Sequence, residues 1–264
     1  MKFISLILNV AVCCSMLPLV GAQENFSLWP QRPAALEQAR RLLMQHQWGE
    51  AVHLLQPFVM DSGISGREAR IITGRVNVVR YLSRLHPAAA VYTVRGGDNL
   101  SRIAEAVKCP VDVIMLYNGM VEPSSLKAGK KLVYVDMSLR VEIYPELKEV
   151  TVWDGSTLVA SYEVLSQSDG IAAAGTVPST TVASRVSYLH GKVVKRNSIQ
   201  VASADKEIQL ADGIKLTGRS DRDGRCLRLQ QRDVNELALL VREGNQVVWL
   251  PSPGTSDESK NAEN

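Results

Sequence analysis

The sequence predicts an α+β protein with three unlike segments behind an apolar leader. Apolar residues recur at helical spacing over residues 33–86, a strand–helix–helix–strand pattern follows from Val91, and strand-like alternation begins at Arg140. The composition, 45% hydrophobic and 22% charged, is typical of a globular protein. The expected divisions are residues 1–22, 23–90, 91–137, 138–251 and 252–264.

The first 22 residues are typical of a signal peptide. A lysine precedes an apolar run at residues 3–17, and the small residues at 20–22 suit a cleavage site. A membrane anchor is disfavoured because the run is short and Pro18 interrupts it. A lipid anchor on Cys13 or Cys14 lacks the small residue expected before the cysteine. We therefore expect export to the periplasm or cell envelope, with no transmembrane segment after cleavage.

Residues 33–86 are predicted to be helical. Apolar positions recur every three or four residues over 36–58, the stretch QWGE at 47–50 indicates a turn, and a third helix is expected at 66–85. The first two helices resemble a single tetratricopeptide-type unit. Since one such unit buries little core, a packed helical cap is the preferred interpretation. Capture of an envelope protein partner by residues 33–86 is the alternative.

Residues 91–137 are predicted to form a strand, two helices and a closing strand. Asp98 or Asn99 is expected to cap the first helix, Pro110 to begin the second, and residues 131–135 to form the closing strand. The residues expected to face inward are Leu100, Ile103, Ala104, Val107, Val113, Ile114 and Leu116, with Cys109 as a buried small hydrophobe.

The same stretch resembles the LysM module along its whole length. The matching residues are Tyr92-Thr93-Val94, Gly97-Asp98-Asn99-Leu100, Ile103-Ala104, Val111, Leu116, Asn118 and the run from Leu126 to Leu132. The resemblance implies binding of N-acetylglucosamine-containing glycans, chiefly peptidoglycan, in a shallow groove between the first strand–helix loop and the loop after the second helix. The groove residues carried over to this chain are Gly97, Asp98, Asn99, Leu100, Asn118, Gly119 and Met120. Backbone groups there suit an acetamido group, and Met120 is expected to cover its methyl.

From Arg140 the pattern changes to short strands. The stretches LRVEIY and KEVTVW are strand-like, and Asp154-Gly155 indicates a hairpin. Further strands are expected in LVASYEVL, VASRVSYL, KVV, SIQV and QVVWL. The stretch RDVNELALLVREG predicts one helix capped by Gly244, and the polar residues 252–264 are predicted to be disordered.

The order of these elements resembles an L,D-transpeptidase catalytic domain, which remodels peptidoglycan crosslinks with a cysteine nucleophile. The resemblance rests on the hairpin at residues 140–165, on Gly175-Thr176-Val177-Pro178, on residues 206–218, and on Cys226-Leu227-Arg228-Leu229. It implies that Cys226 is the nucleophile and that Arg228 supports the site. The chain departs from the family at both histidines, because Thr217 takes the upstream histidine position and Asp223-Gly224-Arg225 replaces Ser-His-Gly.

Catalysis at Cys226 requires an acid that protonates the departing amine. Arg222, Arg225 and Arg228 would lower the pKa of the thiol, but an arginine does not release its proton. His190 is the one histidine in residues 138–251 and therefore the candidate acid/base. We accordingly prefer a peptidoglycan-binding envelope protein with an inactive transpeptidase-like domain. The alternatives are an active, divergent L,D-transpeptidase and a protein-interaction adaptor.

Other functional classes lack sequence support. The net charge is +3 and no basic cluster is interleaved with aromatic residues, which argues against nucleic-acid binding. The histidines, at positions 46, 53, 86 and 190, do not have metal-ligand spacing with the cysteines, so no metal or other cofactor is expected. Cys109 and Cys226 fall in different segments, so a disulfide between them is open but not favoured.

Overall fold

A computed structural model describes residues 34–61, 63–169, 171, 179–194, 203–219 and 224–250. The predictions for the leader, for SIQV at 198–201 and for the tail at 252–264 fall outside the described residues. From Ala34 onward the described chain forms one compact unit. It contains six α-helices and twelve β-strands within the described ranges, which confirms the α+β class.

The helices and strands are grouped in three consecutive blocks: three helices, then a strand–helix–helix–strand unit, then ten strands with one helix between the last two, all within the described ranges. The helices are α1 (Ala34–Met44), α2 (Trp48–Leu55), α3 (Ile64–Tyr81), α4 (Leu100–Ala106), α5 (Val111–Tyr117) and α6 (Gln231–Leu240). The strands are β1 (Ala90–Thr93), β2 (Lys131–Tyr134), β3 (Arg140–Tyr144), β4 (Glu149–Asp154), β5 (Thr157–Glu163), β6 (Ser166–Gln167), β7 (Thr180–Leu189), β8 (Lys192–Val194), β9 (Asp205–Leu210), β10 (Lys215–Thr217), β11 (Cys226–Arg228) and β12 (Gln246–Trp249).

The hairpin of α1 and α2 buries the small and apolar residues that the helical spacing predicts. Leu36, Ala39, Ala51 and Leu55 are buried together with Ala69 of α3. Helix α2 begins at Trp48, within the stretch expected to be a turn. Helix α3 also differs from the predicted third helix, since it ends at Tyr81 and not near residue 85.

Helix α3 lies directly on the hairpin of β4 and β5. A Cβ added at Gly74 would lie 2.4 Å from the backbone nitrogen of Ser161, so only glycine permits this approach. Next to it, the buried Arg70 donates to Glu149 Oε2 at 2.7 Å, and Ser161 Oγ donates to Glu149 Oε1 at 2.7 Å. The third helix is therefore part of the packing of the β-rich region.

The small block follows the predicted strand–helix–helix–strand order. Strand β1 pairs antiparallel with β2, from Ala90↔Tyr134 to Thr93↔Lys131. Helix α4 begins after Asn99, whose side chain accepts a hydrogen bond from Arg102 N at 2.9 Å. Most residues expected to face inward are buried, namely Leu100, Ile103, Ala104, Cys109, Val113 and Ile114, while Val107 and Leu116 are half-buried.

The remaining strands form one curved sheet in which β8 pairs only with β7 among the described strands. The order is β5-β4-β3-β12-β7-β9-β10-β11-β6. Its two end strands, β5 and β6, are joined by Val164 and Leu165 alone, and Leu165 N donates to Arg228 O on β11 at 2.7 Å. Because consecutive residues occupy both ends of the order, the sheet must curve until its ends meet.

Helix α6 covers the inner face of this curved sheet. Its residues Val234, Leu237, Ala238 and Leu240 are buried in one core with strand residues such as Val150 and Leu216. The predicted end of this helix at Gly244 is wrong: the helix ends at Leu240, because Val241 already has an extended backbone with ψ of 151°. Gly244 instead lies, with φ of 86°, in the turn before β12.

Candidate functional site

The turn after β1 is held by a single carboxylate. Asp98 Oδ2 accepts hydrogen bonds from Tyr92 Oη at 2.9 Å and from Arg95 N at 2.8 Å. The Arg95 backbone donor and the Tyr92 hydroxyl lower the pKa of Asp98, and the same Asp98 bond raises the pKa of Tyr92. Gly97, with φ of 85°, allows the chain to reverse, and no atom lies within 4 Å of where its Cβ would be. The turn is thus held by hydrogen bonds to Asp98 and is open at Gly97.

The connection after α5 uses its predicted groove residues in a different way. Asn118 Nδ2 donates to Ile114 O at 2.7 Å and to Val133 O at 2.8 Å, and Asn118 Oδ1 accepts from Val133 N at 2.8 Å. Both amide protons are therefore occupied by the main chain. Met120 is 5% exposed and packed in the core, whereas the next residue, Val121, is 59% exposed.

The two connections meet at one end of this block. Val94 N donates to Lys130 O at 2.9 Å, and Gly129 N donates to Val94 O at 2.8 Å. Leu100 and Met120 belong to the same hydrophobic core beneath the surface. These contacts place residues 95–99 beside the end of the connection that runs from 118 to 130.

The seven predicted groove residues divide by exposure. Gly97, Asn99 and Gly119 are exposed, Asp98 and Asn118 are half-buried, and Leu100 and Met120 are buried. The burial of Met120 leaves no methionine surface to cover an acetamide methyl. Val121 is the exposed apolar side chain in this region that the sequence reading missed. The sequence does not show which of Met120 and Val121 is exposed, because both follow Gly119 in an irregular connection where no helix or strand periodicity applies.

This small block is tied to its neighbours on two sides. Arg185 on β7 donates to Asp112 Oδ2 of α5 at 2.9 Å and to Ala238 O of α6 at 2.6 Å. Tyr117 of α5 donates its hydroxyl to the carbonyl of Tyr81 in α3. The block thus contacts α3 through one end of α5 and the β-rich region through the other.

Cys226 lies on β11, close to the edge of the curved sheet. Strand β11 runs parallel to β10, with Lys215↔Cys226 and Thr217↔Arg228 as partners. The side chains of Leu216 and Leu227 are buried in the core, so Cys226 and Arg228 project from the opposite, outer face. Cys226 is half-buried, and its backbone N–H donates to Ser168 Oγ at 2.8 Å.

The outer face beside Cys226 is polar and well packed. Glu207 on β9 is 1% exposed and Thr217 on β10 is 0% exposed. Tyr188 on β7 donates its hydroxyl to Glu207 Oε1 at 3.4 Å. Thr217 accepts a hydrogen bond from Arg219 N at 3.2 Å. No histidine lies among these residues.

His190 is not brought to Cys226. It is exposed in the turn between β7 and β8, with φ of 50°. The strand pairings place Cys226 level with Ser184 on β7, three strands across the sheet. Six residues separate Ser184 from His190, which at about 3.3 Å per residue is about 20 Å along the strand direction. That separation exceeds the reach of a hydrogen bond or of one bridging water.

Other candidate groups complete the comparison with the sequence. Gly175-Thr176-Val177-Pro178, Arg222 and Asp223 lie outside the described residues. Arg225 is exposed and Arg228 is half-buried. Cys109 and Cys226 are both free thiols, and burial raises the pKa of Cys109 to about 11. Within the described ranges, no group of His, Cys, Asp or Glu side chains is arranged to hold a metal ion.

Comparison with known proteins identifies the small block. The family model described as the LysM domain matches residues 92–134. The chain therefore contains a LysM domain, a type of module that binds peptidoglycan and related glycans and that is typical of cell-envelope proteins. A search of the curated proteins found no match to the chain. Among the helices that the structure describes, none is both long and apolar enough to cross a membrane.

Proposed function

We propose that this protein binds N-acetylglucosamine-containing glycan of peptidoglycan through the surface formed by residues 95–99 and 118–121. The observation that carries the proposal is the LysM match at 92–134, together with the exposure of both loops. Gly97, Asn99 and Gly119 are exposed. The Asn99 carbonyl accepts from Ile103 N and the Gly119 N–H donates to Leu116 O, so the backbone groups offered to an acetamido group are those of Gly97, the Asn99 N–H and the Gly119 carbonyl. Val121 supplies the apolar contact for the acetamide methyl in place of Met120.

The proposal is tested by sedimentation of the mature chain with purified sacculi and by titration with chitohexaose. Val121→Asp places a charge against the acetamide methyl and should weaken binding about tenfold, since burial of one valine is worth about 1.5 kcal/mol. Val193→Asp is the matched control, because Val193 is 67% exposed on β8, outside the LysM domain in sequence. Wild-type protein that stays in solution with both ligands, or equal binding by the two variants, would count against the site.

We further propose that the β-rich region, residues 138–251, is a scaffold related to the L,D-transpeptidases that has lost their activity. Three arrangements support this. The backbone N–H of Cys226 is bonded to Ser168 and so is not free to stabilise an oxyanion. Thr217 stands where the family has a histidine, and His190 lies about 20 Å away along the strands. Arg228 keeps its place but cannot act as a general acid.

Intact mass measurement distinguishes an inactive from an active Cys226. The mature protein would be incubated with muropeptides and, separately, with a carbapenem, a class that acylates L,D-transpeptidases. Wild type and Cys226→Ala should both keep their original mass. A Cys226-dependent adduct that forms with loss of the terminal D-amino acid from the muropeptide would overturn the scaffold proposal and favour the active alternative.

Export of the chain is part of the same proposal. The leader 1–22 supports it by composition, and cleavage after Ala22 would yield a mature chain that begins at Gln23. Sequencing of the amino terminus of protein recovered from the cell envelope tests this. An intact Met1 on the envelope form would be inconsistent with removal of the leader.

Partner capture by the amino-terminal helices is a second candidate function, now restricted to α1 and α2. Helix α3 is left out of this candidate surface, because its residues Arg70 and Gly74 pack against the β-rich region. The first two helices expose a cleft lined by Gln38, Leu42, Gly49, Glu50, His53 and Leu54. Deletion of residues 34–47 together with substitution of His53 should abolish partner capture and leave sacculus binding unchanged if this function exists.

A further inference from the structure

The loops that border the proposed glycan site carry an excess of cations. Arg95 lies in the turn after β1, and Lys127, Lys130 and Lys131 lie at the end of the connection before and into β2. Arg95, Lys127 and Lys131 are exposed, and Lys130 is half-buried. The bonds of Val94 to Lys130 O and Gly129 N bring these two stretches together at one end of the LysM domain. We refer to these four side chains as the basic rim.

The acids near the basic rim do not neutralise it. Asp98 turns its Oδ2 towards Tyr92 and the Arg95 backbone, so this oxygen is committed to the turn. Arg95 and Arg102 both lie close enough to Asp98 to lower its pKa, which adds a fifth cation to the same surface. Glu122 is the other acid in the two loops. The local balance remains positive.

Other charged residues of the LysM domain do form ion pairs. Lys108 lies 3.9 Å from Asp136, and Asp112 lies 2.9 Å from Arg185. By contrast, the four side chains of the basic rim form no salt bridge with any acid in the described part of the chain. Unpaired cations gathered beside a binding surface attract a ligand of opposite charge.

We infer that the glycan bound at this site carries carboxylates beside its acetamido sugars, and that the basic rim selects such a strand over a neutral N-acetylglucosamine polymer. The inference rests on the proposed function, because it concerns the ligand of the same surface. Peptidoglycan supplies carboxylates from two sources: the peptide, whose amide link to the lactyl group leaves no free lactyl carboxylate on that sugar, and the lactyl carboxylate itself wherever the peptide has been removed. Either is recognised by the same electrostatic attraction, which acts within about 10 Å at 0.1 M salt.

The experiment compares four soluble ligands by titration of the whole mature protein. They are chitohexaose, glycan strands with their peptides, the same strands with all carboxylates converted to amides, and strands freed of peptide by an amidase. At low salt the intact strands should bind about three- to tenfold more tightly than chitohexaose or the amidated strands. The difference should vanish near 1 M salt, where charges are screened beyond about 3 Å. Amidase treatment removes the peptide and frees the lactyl carboxylate, so treated strands that keep the advantage show that a carboxylate on the sugar is sufficient, and strands that lose it show that the basic rim contacts the carboxylates of the peptide.

Matched variants assign the effect to the basic rim. K127Q/K130Q/K131Q should bind intact strands as weakly as amidated strands and should bind chitohexaose like wild type. R80Q/K148Q/K192Q removes three exposed cations elsewhere on the chain and should retain the preference. Equal wild-type affinity for intact strands and chitohexaose at low salt would overturn this inference and leave the proposed function standing. A wild type that binds neither would instead overturn the proposed function.

Discussion

Two neighbouring residues of β5, Ser161 and Tyr162, donate hydrogen bonds to two glutamates in different surroundings, Glu149 being fully buried and Glu236 half-buried. Ser161 faces α3 and donates to Glu149, while Tyr162 faces the inner core and donates to Glu236 Oε1 at 3.0 Å. Glu149 is 0% exposed and pairs with Arg70, whose guanidinium makes three contacts with its carboxylate. Glu236 has no such partner in the described residues, and burial raises its pKa from 4.5 to about 7.

The comparison shows what decides the cost of a buried carboxylate. Arg70 also donates to Val59 O and Asp61 O, so the guanidinium itself is satisfied on the α3 side. On the α6 side, the Tyr162 hydroxyl favours the charged form of Glu236, but burial and the nearby Asp233 outweigh it. A single hydrogen bond from a tyrosine therefore does not stabilise the charged form of a carboxylate as well as a bidentate arginine does.

The largest effect is expected from removal of the cation. Arg70→Ala leaves Glu149 buried without its partner and should lower the free energy of unfolding by about 3 to 5 kcal/mol, measured by urea titration. Arg67→Ala is the matched control on the same helix, because Arg67 pairs with the exposed Glu163 and should cost at most about 1 kcal/mol. The double variant R70M/E149L should be more stable than Arg70→Ala alone. Equal losses at Arg67 and Arg70 would show that the buried pair has no special role.

The next effect tests the close approach that holds the pair in place. Gly74→Ala puts a methyl 2.4 Å from Ser161 N, against backbone that cannot move aside easily. We expect a loss of about 1 to 3 kcal/mol in the free energy of unfolding. Gly49→Ala on α2, where no atom lies within 4 Å, serves as the control and should be neutral or stabilising. A neutral Gly74→Ala would mean that α3 packs less tightly on β5 than described.

Glu236 should make stability depend on pH in a defined direction. Its pKa is raised in the folded state, so its contribution is fully present below about pH 4.5 and is lost as the pH rises through about 7. Because the side chain is only half-buried, the loss should be roughly 2 kcal/mol. Glu236→Gln mimics the protonated acid and should flatten this part of the stability profile between pH 5 and 8. Burial also raises the pKa of Asp233, so Asp233→Asn should remove a smaller part of the slope.

Glu163→Gln is the control for that profile, since Glu163 is exposed on the same strand as Tyr162. It should leave the slope near pH 7 unchanged. A wild-type protein that becomes more stable from pH 5 to 8, with a slope removed by Glu236→Gln, would show that the shift has the opposite sign.

The smallest effect sharpens the role of the tyrosine. Tyr162→Phe removes the hydroxyl that favours the charged form of Glu236, so the pKa of Glu236 should rise further. The cost in stability should be about 1 kcal/mol at pH 5, where the acid is protonated. Carbon-13 NMR of the glutamate carboxyls reports the titration directly. A midpoint that moves to lower pH in Tyr162→Phe would contradict this account.

The sequence predicts the local part of this architecture well. The LysM domain is compact in sequence, so its cap at Asn99 and its buried positions follow from spacing over fewer than fifty residues. The α3 contact could not be predicted in this way, because Arg70 and Glu149 are 79 residues apart and each looks like an ordinary charged residue in its own segment. A helical pattern shows which face is apolar, but a buried ion pair on the polar face leaves no periodic signal.

The site shows the same limit at the level of single residues. The amide of Asn118 bonds to Val133 of β2, a contact that the residues next to it in sequence do not predict. Met120 is buried and Val121 is exposed, which the sequence does not predict because burial in an irregular connection depends on the tertiary fold. Cys226 stands out in the sequence because of the arginines around it, whereas its separation from His190 depends on the strand order.

The position of β12 bears on how the chain completes its fold. This strand, close to the end of the described chain, lies between β3, with which it is parallel, and β7. Until residues 246–249 have emerged from the ribosome or a translocation channel, β3 and β7 each have an open edge, and such edges promote aggregation. The sheet therefore closes by insertion of its last strand into the middle, a contact between residues about 100 positions apart that slows folding. Truncation of even the last described strand should be far more harmful than its terminal location suggests.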